Sequence, residues 1–171
     1  LTSDGFNRAD GAPGTSDVYA GGTARTWTVN TAGTAIASGA LSVTGNGGTI
    51  GGWTATNSLQ VEWDHASGAT LHVELASWIC TLKVAAGRIE LAYTYYTPYG
   101  PYYARTLPFA GSAALGRYVV VLKDRTLTLF GPTGYTSQRI ILPGGLSATT
   151  TTWKAPSATA VIDNVKIGIP A

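Results

Sequence analysis

A chain of 171 residues is long enough to bury a substantial core, and its formal net charge of +2, with 12% charged residues and no basic run, argues against a nucleic-acid surface. Hydrophobic residues make up 44%, which excludes disorder by composition, yet no apolar run approaches the roughly 18–20 residues of a membrane span. Length predicts a single domain over residues 1–171. The chain begins at Leu1 and contains no methionine, so it is either processed or part of something longer.

Period-two alternation dominates, and no long stretch carries apolar residues at i, i+3, i+4 and i+7. In chain order, strands are expected at 26–30, 40–44 and 50–55, with the intervening GNGGTIGG read as a flexible loop because no Lys-Ser/Thr or helix follows it. In LQVEWD, Leu59, Val61 and Trp63 face one way and Gln60, Glu62 and Asp64 the other. In LHVEL, Leu71, Val73 and Leu75 oppose His72 and Glu74. Residues 78–84 form the next strand, joined through Ala85-Ala86-Gly87 to 88–96, where Ile89, Leu91, Tyr93 and Tyr95 share a face. Cys80 lies in the first of these, as an inert packing thiol, and with no second cysteine an intrachain disulfide cannot form.

The densest signal follows. The run TYYTPYGPYY holds Tyr95, Tyr96, Tyr99, Tyr102 and Tyr103, and with Tyr93 it contains six of the nine tyrosines. Pro98, Gly100 and Pro101 prevent regular strand at its middle, so it reads as a hairpin tip. Flat apolar faces with a wet hydroxyl suit a sugar or a protein partner; the alternative is rings packed on their own sheet or on a neighbouring subunit. A strand at 103–109 returns from the tip. RYVVVLKDRTLTLF gives two strands around a tight turn at Lys123-Asp124-Arg125, the first apolar on both faces and therefore expected to be central and covered on both sides. Strands at 138–142 and 161–169 close the chain, and 144–156 reads as a long surface connection anchored by Trp153. This many short strands in one domain predict an all-β fold, a two-sheet antiparallel jelly-roll sandwich. Phe6, Leu59, Val61, Leu71, Val73, Leu91, Val120, Leu122, Leu127, Leu129, Val165 and Ile167 form its expected core.

The two ends of the chain resemble a known family. The opening FNRADG, with its Gly-rich continuation to Trp27, the closing ATAVIDNVKIG and the hairpin GRYVVVLKDRTLTLFG are similar to the concanavalin A-like (laminin G-like) lectin/glucanase sandwich, in a version common in minor tail and fibre proteins of tailed phages. That resemblance implies a jelly roll whose first and last strands lie together. It also implies a structural or adhesive setting on a virion or in extracellular space. Strict alternation puts Asp163 in phase with Val165 and Ile167, facing the core, where a carboxylate needs a partner. With the ends adjacent, Asn7, Arg8 and the opening amides around Phe6 are the expected partners. A structural calcium, with oxygens from Asp4, Asp10 and Asp17, is the alternative.

Catalytic patterns are lacking. Glycosidases on this fold need paired carboxylates, commonly as Glu-x-Asp-x-x-Glu; Glu62 and Asp64 share a face, but no second Glu follows in phase. His65 and His72 do not have a zinc spacing, and no Gly-x-Ser-x-Gly elbow occurs. The sequence therefore predicts a non-enzymatic surface module, without a cofactor, that recognises carbohydrate or neighbouring virion or surface proteins, self-assembly into a homo-oligomer included. A secreted carbohydrate-binding module or an atypical glycan hydrolase using Glu62 and Asp64 is the alternative.

Overall fold

In a computed structural model the described residues are 2–7, 9–16, 24–66, 69–75, 80–85, 88–93, 103–108, 115–132, 137–142 and 148–168. They form thirteen strands: β1 (Thr2–Asp4), β2 (Trp27–Val29), β3 (Ala35–Ala37), β4 (Ala40–Thr56), β5 (Ser58–His65), β6 (Leu71–Leu75), β7 (Cys80–Ala85), β8 (Arg88–Tyr93), β9 (Tyr103–Pro108), β10 (Gly116–Lys123), β11 (Thr126–Phe130), β12 (Gln138–Ile141) and β13 (Ala148–Gly168). No helix occurs among the described residues, so none there could cross a membrane.

The two longest strands explain the architecture. β13 runs for 21 residues and β4 for 17, and each serves both layers of the sandwich. The first half of β13 pairs with β6 and with the second half of β4, and β7, β8 and β9 extend that sheet outward. The second half of β13 pairs with β5, β1 and the start of β4, and β10, β11 and β12 extend the other sheet. Register shifts between Trp153 and Ala160 mark where β13 passes from one sheet to the other. All the pairings are antiparallel. The result is the jelly-roll sandwich that the alternation predicted, with its two sheets made continuous through β4 and β13.

The alternation also placed the core. Every one of the twelve residues expected inside, from Phe6 to Ile167, is at most 2% exposed. Two aromatic clusters anchor it. Trp63 and Tyr118, opposite each other on β5 and β10, stack with ring centres 5.2 Å apart and planes 9° apart. Trp27 lies between Phe6 and Trp153, at 5.7 and 5.3 Å. Such pairs contribute roughly 0.5–1.5 kcal/mol beyond the area they bury.

Three sequence readings are corrected. GNGGTIGG is not a loop but the middle of β4: Gly48 pairs with Trp153 and Ile50 with Thr151. Glycine is needed at Gly47, whose φ is +67° and whose Cβ, if it had one, would overlap the Trp153 carbonyl oxygen. The segment 144–156 is not a surface connection from residue 148 onward, because there it is β13, and Trp153 is fully buried. A run of threonines carries β propensity that low complexity conceals. Val119 and Val121 are only half-buried: β10 is central in its sheet, but its outward face is open.

Candidate functional site

The chain ends meet as expected. Thr2 pairs with Ile167, Ser3 with Lys166 and Asp4 with Val165. The buried carboxylate there is Asp4, not Asp163. Asp4 is 1% exposed; its Oδ1 accepts the Phe6 N–H at 2.9 Å and its Oδ2 accepts the Trp27 Nε1–H at 2.8 Å. Phe6 itself is fully buried at φ +52°, a strained conformation for an aromatic residue that the Asp4 carboxylate holds from two residues away. Asp163 does not face the core. A bulge at Asn164, at φ +47°, resets the phase, so Ile162 and Val165 point inward and Asp163 lies at the surface. Its oxygens take the backbone N–H and the side-chain amide of Asn164, at 2.7 and 3.3 Å, rather than anything from the N-terminal segment. Arg8 lies outside the described residues, as does Asp17. Asp10 accepts the Ser38 N–H at 2.9 Å. Among the described residues no cluster of three His, Cys, Asp or Glu side chains could hold a metal ion.

The tyrosine hairpin is present at its base. β8 and β9 pair along their lengths, Tyr93 opposite Tyr103. Tyr95, Tyr96, Tyr99 and Tyr102, and the side chain of Tyr103, lie outside the described residues.

Glu62 and Asp64 sit on the outer face of their sheet, half-buried, and both are bound by Arg117 from the neighbouring strand: Nη2 reaches Glu62 Oε2 at 2.5 Å and Nη1 reaches Asp64 Oδ1 at 3.0 Å. Gln60 donates to Glu62, and the Asn164 amide donates to Asp64 Oδ2 at 2.8 Å. Burial works against the Arg117 charge, but the hydrogen bonds to Glu62 and Asp64 outweigh it and hold the guanidinium above its ordinary range. His65 points inward, edge-on to Tyr118 at 6.4 Å, while His72 is on the outer face of the other sheet, so the two histidines do not converge. On that second face two lysines close on glutamates, Lys154 with Glu74 at 2.7 Å and Lys83 with Glu90 at 3.2 Å.

The remaining outer face is different. β10, β11 and β12 present Val121, Lys123, Thr126, Thr128 and Arg139 to an open groove of about 600 Å³, with Asp124 and Arg125 at its rim. Inward-facing Val120, Leu122, Leu127, Leu129 and Ile140 fill the core beneath. Both sides of the rim are pinned. Asp124, at φ +54°, accepts the Asn57 side-chain amide at 2.9 Å and donates its N–H to the Asn57 carbonyl at 2.8 Å. Arg125 Nε donates to the Leu142 carbonyl at 3.1 Å, and the Leu142 N–H donates back to the Arg125 carbonyl at 2.7 Å. Lys123 and Arg139 are exposed and make no hydrogen bond or ion pair with the described residues. Phe130 follows Thr128 by two positions, on the same outward face, and is 44% exposed. Sequence reading missed this groove. The alternation Thr126, Thr128, Phe130 was visible, but Arg139 lies eleven residues beyond Thr128, and only the register brings them opposite each other.

No protein-family model matches the chain, and no curated protein is similar to it in sequence. Solved structures do resemble it. The botulinum neurotoxin serotype D ligand-binding domain in complex with N-acetylneuraminic acid superposes with a TM-score of 0.52 at 10% identity, over 82% of this chain and 40% of that one. A functionally unknown protein from Saccharomyces cerevisiae superposes with a TM-score of 0.50 at 12% identity, over 86% of this chain and 97% of that one. The chain thus spans about two fifths of the neurotoxin domain. At such identities the likeness is one of fold, an antiparallel β-sandwich assembled in the same way.

Proposed function

We propose that this chain is a non-enzymatic carbohydrate-binding module, displayed on a virion or in extracellular space, that attaches through the outer face of its β10–β12 sheet and through the tyrosine hairpin. The observation that carries the reading is the groove. It is open, its rim is fixed by four hydrogen bonds, and it combines the hydroxyls of Thr126 and Thr128 and the apolar Val121 side chain with two cations, Lys123 and Arg139, that are unpaired among the described residues. Sugars need this mixture of directed polar groups and flat apolar contact. The neurotoxin domain that shares the fold was captured with a sugar, N-acetylneuraminic acid, which supports the class of ligand by fold-level analogy and says nothing of the position. The virion or extracellular setting rests on the resemblance of the chain ends to domains of phage tail and fibre proteins.

The state of the acids supports a role in binding rather than hydrolysis. Glycoside hydrolysis needs one carboxyl free to give a proton and another free to attack or to activate water. Glu62 and Asp64 instead share one guanidinium, and each accepts a further amide hydrogen bond. The test is an array of immobilised neutral, carboxylated and sulfated oligosaccharides probed with the purified chain, with reducing-end release measured on the same sugars. Binding without release is the expected result. Release abolished by Glu62→Gln would replace this reading with that of a hydrolase, and silence across the array would remove it. The combined Tyr96→Ala, Tyr99→Ala and Tyr102→Ala variant measures the hairpin's share of attachment, expected at about 1 kcal/mol per ring.

A further inference from the structure

Resting on the carbohydrate-binding reading, we infer that the groove takes an anionic saccharide, one bearing carboxylate or sulfate groups, and that Lys123 and Arg139 contact its acid groups. Charge is the first ground. Three cations and one carboxylate line or rim the groove, leaving two net positive charges there, equal to the net charge of the whole chain. The Asp124 carboxylate accepts the Asn57 amide and, among the described residues, forms no ion pair with Lys123 or Arg139. Arg125 is likewise committed to the Leu142 carbonyl. Lys123 and Arg139 remain exposed and unpaired among the described residues. On the opposite sheet, by contrast, Lys83 and Lys154 are each paired with a glutamate.

Spacing is the second ground. Lys123 is opposite Thr126, and Arg139 is opposite Thr128, with β11 between the two cations. Two strand spacings and one two-residue step put their Cα atoms about 12 Å apart, a span that one or two sugar units cover. The hydroxyls of Thr126 and Thr128 fall on the line between them, and Val121 faces the same space beside Thr128. Phe130 continues the row and offers an exposed ring to a sugar face. A long flexible polyanion recognised by charge alone would not need this sequence of cation, hydroxyls and ring along one sheet. Arginine can grip a planar carboxylate or a sulfate in a fork of two N–H donors, whereas Lys123 supplies a point charge.

The experiment is calorimetry on the intact chain with four probes: sialyllactose, a sulfated lactose, unmodified lactose and inorganic triphosphate. The Lys123→Ala/Arg139→Ala double variant and, separately, Phe130→Ala are compared with the native protein, with near-ultraviolet circular dichroism confirming each fold. The expected result is binding of at least one anionic sugar, weakened about tenfold or more by the double variant, weakened by Phe130→Ala, and falling with added salt. The sialylated and sulfated probes show which acid group is preferred. Equal binding of unmodified lactose, unaffected by the double variant, overturns the inference while leaving the carbohydrate reading intact. Anionic sugars that bind both proteins equally well overturn this placement of the site. Triphosphate that binds as well as the sugars, with Phe130→Ala neutral, reduces the groove to an undiscriminating cationic surface. No binding of any sugar overturns the inference, and with silence on the wider array it overturns the carbohydrate reading too.

Discussion

Replacing Asp4 with alanine should be among the most damaging single changes at the chain ends, and replacing Asp163 should not. The Asp4 carboxylate is 1% exposed and accepts two buried donors, the Phe6 N–H at 2.9 Å and the Trp27 Nε1–H at 2.8 Å. Alanine would strand both. A buried donor left without a partner costs about 1–3 kcal/mol, so Asp4→Ala should destabilise by about 3–5 kcal/mol after partial relaxation. The loss extends beyond the bonds, since the carboxylate also holds Phe6 at φ +52°, and Phe6 packs on Trp27, which packs on Trp153. Against a typical total stability of about 5–15 kcal/mol, that is a large fraction. Among the described residues Asp163→Ala removes hydrogen bonds only with the adjacent, exposed Asn164, and it should cost less than about 1 kcal/mol. Urea titrations followed by tryptophan fluorescence and by far-ultraviolet circular dichroism measure both. Asp4→Asn should fall between Asp4→Ala and the native protein, because its remaining oxygen can still accept one of the two donors. A cost below about 1 kcal/mol for Asp4→Ala, or a larger one for Asp163→Ala, would refute the assignment of Asp4 as the clasp between the chain ends.

Other expectations follow from single positions. Gly47→Ala should destabilise by about 2–4 kcal/mol, through an αL conformation and a clash with the Trp153 backbone that no rotamer change relieves, and denaturant midpoints will show it. Burial pushes the Cys80 thiol up to about 12, so iodoacetamide at neutral pH should label the unfolded chain and leave the native one untouched; rapid native labelling would contradict its burial. Burial, and then the Lys83 charge, lower the pKa of His72 from its ordinary 6.5. Between that lowered value and 6.5 the unfolded chain binds more protons than the folded one, so stability should fall as pH drops below about 6.5, and a His72→Gln variant should lose that part of the slope.

What the sequence revealed and what it concealed divide along physical lines. Alternation is a property of one strand, readable without knowing its neighbours. That is why Leu59, Val61, Leu127 and Leu129 could be placed in the core from the residues alone. Where a strand departs from strict period two, the reading fails in the same local way. The bulge at Asn164 turned Asp163 outward, and nothing in VIDNVKIG announces it except an asparagine, one of the few residues that tolerate positive φ. Glycines at 45, 47 and 48 disguised the middle of β4 as a loop, although here Gly47 permits a close approach to the Trp153 backbone of β13, and Gly45 and Gly48 leave room for the side chains of Thr31 and Trp27.

The groove belongs to a different category. Its composition depends on which strands are neighbours and in what register, and neither is encoded in the alternation of any one strand. Lys123 and Arg139 come from strands two places apart in the sheet, with Thr126 and Thr128 between them. Outward residues on a sheet are under weak packing constraint, so an unpaired cation there carries no mark in the sequence distinguishing it from Lys83 or Lys154, which are paired. The distinction appears only when the partners are counted in space. Lys83 and Lys154 on one outer face, and Arg117 on the other, are each paired with carboxylates. At the groove Lys123 and Arg139 have no partner among the described residues, beside a row of hydroxyls and an exposed ring. That contrast between paired and unpaired cations, rather than the number of aromatic residues in the hairpin, is the stronger structural reason to assign this chain a role in recognition.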